Sequence, residues 1–169
     1  CIRDRFIRWS DQENAADWTP TATNSAGGQV LSTGTTIVGA VKTRQEILIF
    51  TDVGIQAMRF VGAPFIYAIS PVAENVSMIS PKAGVAAADS VFFMDREGFY
   101  VYRGSVQRLP CSVLDHVFSN LQFQQRFKIF ATTNPDDSEV TWYYPVGGAS
   151  VDITNYVTYN YQEDNWTIG

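Results

Sequence analysis

Two hairpin sequences of the same design, offset by 44 residues, constrain the fold of this chain more than any other feature. The two hairpins are Glu46–Thr51 with Gly54–Phe60, and Val91–Met94 with Gly98–Arg103. Phe50 aligns with Met94, and Gly54 aligns with Gly98. Period-two alternation in short segments bounded by turn residues is typical of antiparallel strands. An offset near 40–50 residues is also the repeat length of propeller blades, so the sequence predicts an internal β repeat.

Adding one strand on each side of a hairpin gives four-stranded units. The predicted strands are Thr36–Val41, Glu46–Thr51, Gly54–Phe60 and Phe65–Ile69; Gly84–Ala88, Val91–Met94, Gly98–Arg103 and Val106–Leu109; and Phe127–Thr133, Glu139–Tyr144, Tyr156–Tyr161 and Trp166–Ile168. Three successive meanders predict an all-β, β-propeller-like fold with about three four-stranded antiparallel blades. A propeller needs about four blades to close, so we expect residues 1–169 to be a single partial propeller domain within a longer chain. The missing initiator Met at Cys1 indicates the same.

Outside the repeats, the sequence predicts one short helix and one isolated strand. The helix is predicted over Val113–Leu121, with Ser112 as N-cap and Asp115 completing a capping box. Its apolar residues share one face, so we expect it to cover a blade edge or to pack between blades. Phe6–Trp9 predicts a strand, followed by a polar loop. Gly54 is expected to take the positive φ that a hairpin turn demands.

Composition excludes several classes of protein. With 46% hydrophobic and 17% charged residues, the chain is too apolar to be disordered. No apolar stretch reaches the roughly 20 residues of a membrane span. A net charge of −5 without a Lys/Arg cluster disfavours a sequence-reading nucleic-acid domain. The two cysteines allow at most one disulfide, and we expect Cys111 to be a buried free thiol.

The titratable residues form no recognisable catalytic or metal-binding pattern. His116 is the only histidine and lies on the predicted helix, where a surface role is expected. Two acidic turns, one with Asp136, Asp137 and Glu139 and the other with Asp95 and Glu97, are predicted to be solvated hairpin tips rather than cation sites. We therefore assign no catalytic, cofactor-binding or metal-binding residue and expect no cofactor. Asp52 and Asp95 occupy nearly equivalent turns, which favours a structural role for both.

The aromatic residues and the long loops are the candidate contact surfaces. Aromatic side chains alternate across neighbouring strands of the third unit: Trp142, Tyr143, Tyr144, Tyr156, Tyr159, Tyr161 and Trp166. Core packing is the first interpretation, and a protein interface is the alternative, since Tyr and Trp are enriched at interfaces. The predicted contact loops are Ser10–Gly34 and Pro71–Lys82, because long loops on a rigid sheet scaffold carry interactions.

Several phrases, taken in order along nearly the whole chain, resemble the tail nozzle, tail tubular and DNA-stabilisation hub proteins of short-tailed bacteriophages. The phrases are Arg8-Trp9-Ser10-Asp11, Asp17-Trp18-Thr19-Pro20, Ile47–Asp52, Met58–Gly62, Phe93–Tyr102, Glu139–Pro145 and Tyr159-Asn160-Tyr161. The resemblance implies a structural virion protein of the phage tail with a propeller body, forming a homo-oligomeric ring around the channel through which DNA is ejected. It carries over no catalytic residue.

That resemblance also implies the partners. They are adjacent subunits, other tail or neck proteins, and passing double-stranded DNA bound without sequence specificity, with no membrane insertion by this segment. An acidic channel wall is expected, because it would repel phosphates and let DNA slide. Two alternatives stay open: a propeller enzyme such as a glycosidase, and a cellular propeller that serves as an interaction scaffold. A pocket with two facing carboxylates would favour the enzyme.

Overall fold

A computed structural model describes residues 5–147 and 152–169 of the protein. Within these residues the chain is mostly β-strand, arranged in four antiparallel sheets. The strands are β1 (Phe6–Trp9), β2 (Gly27–Val30), β3 (Ile37–Lys42), β4 (Glu46–Thr51), β5 (Gly54–Gly62), β6 (Ile66–Glu74), β7 (Gly84–Ala87), β8 (Ser90–Met94), β9 (Phe99–Tyr102), β10 (Val106–Leu109), β11 (Phe130–Asn134), β12 (Glu139–Pro145), β13 (Ile153–Asn160) and β14 (Asn165–Ile168). The helix α1 spans Leu114–Asn120, and a 3₁₀ helix spans Phe123–Lys128. The all-β prediction is confirmed.

Three of the sheets are four-stranded meanders, in which each strand pairs with its neighbours in the sequence. The first sheet is β3-β4-β5-β6, the second β7-β8-β9-β10 and the third β11-β12-β13-β14. The hydrophobic pattern explains the pairing, because Leu48 lies opposite Ala57 on one face of the first sheet, and Ile47 lies opposite Met58 on the other. Both faces of the first sheet therefore bury apolar side chains.

The three sheets stack face to face around a shared core. Phe50 of the first sheet meets Phe93 of the second edge to face, with ring centroids 5.0 Å apart. Phe92 of the second sheet stacks on Tyr161 of the third at 5.5 Å. The β1–β2 hairpin covers the opposite face of the first sheet, where Leu31 packs with Ile49 and Met58. Aromatic and aliphatic side chains buried in this way are the main source of the fold's stability.

The first strands of the three sheets lie next to one another. Strand β7 contacts both β3 and β11. Lys82, just before β7, forms a parallel bridge to Phe130, and its carbonyl accepts the N–H of Ala131 at 2.8 Å. The sheets therefore share one edge, and their later strands lie progressively farther from it.

The helix packs between the second and third sheets, but its predicted cap is wrong. Val117 is fully buried, and Phe118 meets Phe99 of the second sheet at 5.7 Å. The N-cap position is Val113 instead of Ser112, and no side chain caps the helix. The N–H of Leu114, one of the donors at the start of the helix, is bonded to the carbonyl of Cys111 and not to a side chain.

Two further expectations are corrected by the packing. Gly54 does not have a positive φ, unlike Gly34 and Gly104. A Cβ atom at residue 54 would lie 2.6 Å from the carbonyl oxygen of Ala73, so glycine is needed for close approach of two strands.

The predicted contact loop Pro71–Lys82 is not an exposed loop. Its first residues belong to β6, and residues 76–80 are buried, with Val76, Met78 and Ile79 in the core that the sheets share. The predicted loop Ser10–Gly34 contains β2, and its polar part is held in place because Asp11 accepts hydrogen bonds from Ser25. Among the described residues, no helix is long and apolar enough to span a membrane.

Candidate functional site

A cavity of about 370 Å³ lies at the end of the sheets where β5 and β9 begin. It is bounded by the turn after β4, the segment after β6, the turn after β8 and the 3₁₀ helix. Its polar and charged lining residues are Asp52, Asn75, Ser77, Asp95, Arg96, Glu97, Tyr100 and Arg126. The nearly equivalent turns of the two repeated hairpins therefore bring two aspartates, Asp52 and Asp95, to one cavity.

The carboxylate of Asp52, on one side of the cavity, is fixed by hydrogen bonds from the residues just before β3. Its Oδ1 accepts the backbone N–H of Thr35 at 2.8 Å and that of Thr36 at 3.2 Å, and its Oδ2 accepts the Thr35 hydroxyl at 2.6 Å. These bonds, the Thr35 hydroxyl first, lower the pKa of Asp52. Asp52 therefore joins the segment before β3 to the turn, as a residue with a structural role would.

Asp95 differs from the solvated tip that the sequence predicts. The side chain is half-buried, and burial raises its pKa, although N–H bonds from Arg96 and Ser77 oppose the shift. Burial disfavours a carboxylate because water no longer solvates the charge. One cavity thus holds two carboxyl groups whose pKa values are displaced in opposite directions, an arrangement that in enzymes separates an acid from a base.

Cations and aromatic rings form the rim of the cavity. The Arg126 guanidinium lies 4.4 Å from the ring centre of Phe127 and 4.8 Å from that of Phe123. Arg96 lies 5.8 Å from the same Phe123 ring. Contacts of this length are cation–π interactions. The cavity is therefore mixed in charge and suits a polar ligand more than a simple anion or cation.

A second, more open groove of about 950 Å³ lies at the shared edge of the second and third sheets. Its lining residues are Pro81, Lys82, Gly84, Phe127, Lys128, Phe130, Ala131, Asp152 and Ile153. We name these residues the edge groove. Its surface is largely apolar, and its charged members are two lysines and one aspartate.

The aromatic residues of the third sheet divide into two faces. Trp142 and Tyr144 are fully buried, and Tyr159 and Trp166 pack with them toward the second sheet. Core packing is confirmed for this face. On the opposite face, Tyr143 stacks on Phe130 at 4.8 Å and meets Tyr156 at 5.8 Å.

The remaining sequence candidates lie apart from both cavities. His116 is exposed on α1, and Asp137 accepts a hydrogen bond from Asn134 at an exposed hairpin tip. Cys111 is only half-buried, and burial raises the pKa of its thiol. Cys1 lies outside the described residues. Over residues 5–147 and 152–169, no three His, Cys, Asp or Glu side chains are placed to hold a metal ion.

Sequence reasoning missed the contribution of Arg126 and Phe127 to these sites. The strand predicted from Phe127 begins only at Phe130, because residues 123–128 form the 3₁₀ helix. The sequence does mark this segment as basic and aromatic: no acidic residue occurs between Asp115 and Asp136, and Arg126 and Lys128 alternate with phenylalanines.

No protein-family model and no curated protein matches the chain. Function is therefore inferred from the fold and from the surfaces described above.

Proposed function

We propose that this chain is a structural, non-enzymatic virion protein of a bacteriophage tail. In this role it forms part of a propeller-like body in an oligomeric ring around the DNA exit channel and binds neighbouring tail proteins. The observation that carries the proposal is the face-to-face stacking of three four-stranded meanders whose first strands lie side by side. Blades that surround a central axis are built in this way.

The two ends of the stack support a body larger than three sheets. In the first and second sheets each face is covered, and the β1–β2 hairpin packs on the face of the first sheet that points away from the second. The third sheet keeps Phe130, Tyr143 and Tyr156 on its outer face, with Phe130 36% and Tyr156 41% exposed. Half-exposed aromatic rows of this kind favour a contact with another sheet or subunit.

The shared edge is the surface that would face the channel. Lys82 and Lys128, two of the chain's three lysines, lie there with Asp152. A wall of mixed charge would make a few salt-sensitive phosphate contacts and no continuous repulsive surface. In place of the acidic channel wall expected from the net charge, we therefore propose a wall of mixed charge. Duplex DNA passes across it without sequence-specific binding.

Electron microscopy of the purified protein and of whole particles tests the proposal. We expect a ring or tube with a central hole wide enough for duplex DNA, about 20 Å across, and density for this chain in its wall. A closed monomer with a small pocket and no place in the particle would overturn it.

A second candidate, a propeller enzyme such as a glycosidase, is favoured by one specific observation. Asp52 and Asp95 line the same cavity with opposite pKa displacements, and glycoside hydrolysis needs one protonated and one ionised carboxyl group. The three hydrogen bonds that hold Asp52 weigh against it. Hydrolysis of a panel of aryl glycosides that is lost in both Asp95→Asn and Asp52→Asn would establish the enzyme.

A further inference from the structure

We propose that the cavity lined by Asp52 and Asp95 is a binding site for a neutral sugar, whose hydroxyl groups form hydrogen bonds with the polar lining residues. Binding requires no hydrolysis of the sugar. The inference goes beyond the proposed virion role and depends neither on a ring nor on a channel.

The inner part of this cavity is formed by buried residues from the segment after β6. Val76, Met78 and Ile79 are buried there, and the N–H of Ile79 bonds to the carbonyl of Met94 at 2.9 Å. The segment is therefore attached to the second sheet, and little of the wall has to be ordered when a ligand binds. The volume of about 370 Å³ lies in the range of pockets that enclose small organic ligands, and it can enclose one sugar ring.

The charged residues that line the cavity nearly balance one another. Three are acidic, Asp52, Asp95 and Glu97, and two are basic, Arg96 and Arg126. A simple anion would be repelled by the carboxylates, and a simple cation would be repelled by the guanidinium groups. A ligand with many hydroxyl groups avoids both costs, because a hydroxyl can donate to a carboxylate and accept from an arginine.

The two aspartates offer acceptor positions that the protein leaves open. The Oδ1 atom of Asp52 accepts two N–H groups, whereas its Oδ2 accepts one group, the Thr35 hydroxyl at 2.6 Å. A carboxylate has about four acceptor positions, so one remains on Oδ2. Asp95 accepts two backbone N–H groups, those of Arg96 and Ser77, and keeps the rest of its acceptor capacity. Both carboxylates are fixed before a ligand hydroxyl donates to them.

Two further polar side chains of the cavity form no hydrogen bond with the described residues. They are the amide of Asn75 and the hydroxyl of Tyr100. The Tyr100 ring is fixed, because it stacks on Phe93 with centroids 5.6 Å apart. The backbone N–H of Asn75 bonds to the carbonyl of Val53 at 2.8 Å. The cavity therefore presents positioned donors as well as acceptors, which suits a ligand whose groups do both.

An exposed aromatic ring lies at the rim of the cavity. Phe127 is 68% exposed, and the Arg126 guanidinium lies 4.4 Å from its ring centre. The C–H groups on the face of a sugar ring are apolar and pack against the electron-rich face of an aromatic ring. A sugar combines such a face with a polar edge, and the cavity pairs an exposed ring with fixed polar groups in the same way.

Ligand-observed saturation-transfer NMR on the full chain tests the site. The probes are glucose, galactose, mannose, N-acetylglucosamine and lactose, with acetate, ethylamine and glycine as an anionic, a cationic and a zwitterionic comparison. We expect at least one of the sugars to bind saturably with a dissociation constant in the millimolar range, as for a small ligand with few atoms. The three charged probes should not compete with it.

Two variants locate the binding in this cavity. Tyr100→Phe keeps the ring on Phe93 but loses the hydroxyl, and it should raise the dissociation constant about 2- to 10-fold. Asp95→Asn loses the charged acceptor and should raise it at least about 10-fold. The matched controls are Tyr156→Phe and Asp137→Asn, which remove the same groups from exposed residues outside the cavity and should leave it unchanged. Circular dichroism melting confirms that each variant is folded.

The site is overturned if none of the sugars binds, if a charged probe displaces the bound sugar, or if both cavity variants bind like the wild type. Hydrolysis of an aryl glycoside by the wild type would support the site and would also establish the enzyme. The proposed virion role is tested separately, because electron microscopy of particles decides it whether or not a sugar binds.

Discussion

The indole N–H of Trp142 donates a hydrogen bond to the carbonyl oxygen of Ala83 at 3.0 Å, across 59 residues of sequence. Trp142 lies in the middle of the third sheet and is fully buried, whereas Ala83 immediately precedes the first strand of the second sheet. The same carbonyl accepts the N–H of Met94. This one acceptor therefore joins the third sheet to the second at the edge where their first strands meet.

Replacing Trp142 by phenylalanine should destabilise the fold. The variant keeps an aromatic ring but loses the hydrogen bond to Ala83 and leaves unfilled volume in the core, so we expect a loss of about 1–3 kcal/mol in the free energy of unfolding. Urea unfolding followed by fluorescence measures the loss. Trp18→Phe, at an exposed indole, is the control and should change stability by less than about 0.5 kcal/mol. Equal effects of the two substitutions would contradict the linkage.

Gly54 and Gly104 should respond differently to substitution because different constraints select glycine at each. Gly54→Ala places a Cβ 2.6 Å from the Ala73 carbonyl oxygen, and the strand shift that relieves the clash should cost about 1–3 kcal/mol. Gly104 has a φ of +83° and nothing within 4 Å of its Cβ position, so Gly104→Ala should cost about 1–2 kcal/mol through the backbone alone.

Asparagine distinguishes these two causes. Because asparagine tolerates the left-handed region better than alanine, Gly104→Asn should recover part of the stability lost in Gly104→Ala. Gly54→Asn should recover nothing, since its side chain meets the same carbonyl. Thermal melting of the four variants provides the comparison, and recovery at residue 54 would show that close approach is not what selects glycine there.

The strands could be predicted where turn residues bound a short alternating segment. Glu46–Thr51 and Val106–Leu109 begin and end at the predicted residues. The start of β11 could not, because the N–H of Ile129 bonds to the carbonyl of Arg126 and closes a 3₁₀ turn that the alternation does not encode. Local pattern indicates which residues can form a strand, but competing backbone hydrogen bonds decide where it begins.

The cavity was beyond sequence reasoning for a related reason. Asp95 looks like an ordinary turn carboxylate, and its burial depends on a segment that contributes the N–H of Ser77, 18 residues earlier in the chain. The sequence of the hairpin itself therefore gives no indication of the contact between Asp95 and Ser77. The end of the β5–β6 hairpin, in contrast, is visible in the sequence as an uncharged stretch after Arg59, although only the structure shows that β5 and β6 continue to pair beyond the end of β4.

Tyr159 should make the stability of the protein sensitive to alkaline pH. Burial, together with its hydrogen bond to Asp164 at 2.8 Å, raises the pKa of Tyr159 to about 12. The folded pKa lies above the value of 10.0 for a free tyrosine. The contribution of Tyr159 is therefore fully present below pH 10 and is lost as the pH rises from 10 toward 12.

Tyr159→Phe tests this pH dependence. At pH 7 the variant should be less stable by about 0.5–1.5 kcal/mol, because it lacks the hydrogen bond to Asp164. The deficit should shrink, and then reverse, as the pH passes from 10 to 12. Urea unfolding at several pH values measures it, and Tyr156→Phe, at a ring that is 41% exposed, controls for the loss of a hydroxyl. A deficit that is constant with pH would contradict the assignment.

The two aspartates of the cavity should have opposite effects on stability when neutralised. Burial raises the pKa of Asp95 above 3.8, so its favourable contribution is complete below pH 3.8 and is lost as the pH rises through the folded pKa. At pH 7 the ionised group is a cost, and Asp95→Asn should be neutral or stabilising. That gain should disappear when unfolding is measured below pH 4.

For Asp52 the sign is reversed, because hydrogen bonds lower its pKa below 3.8. Its contribution is present above pH 3.8 and is lost as the pH falls through the folded pKa. Asp52→Asn should therefore destabilise the protein by about 1 kcal/mol at pH 7, since an amide cannot accept from both Thr35 groups and Thr36. Unfolding of both variants at pH 7 and pH 3 completes the test. If Asp95→Asn destabilises at pH 7 as much as Asp52→Asn does, the half-buried carboxylate is held by partners as firmly as Asp52, and the pair does not separate an acid from a base.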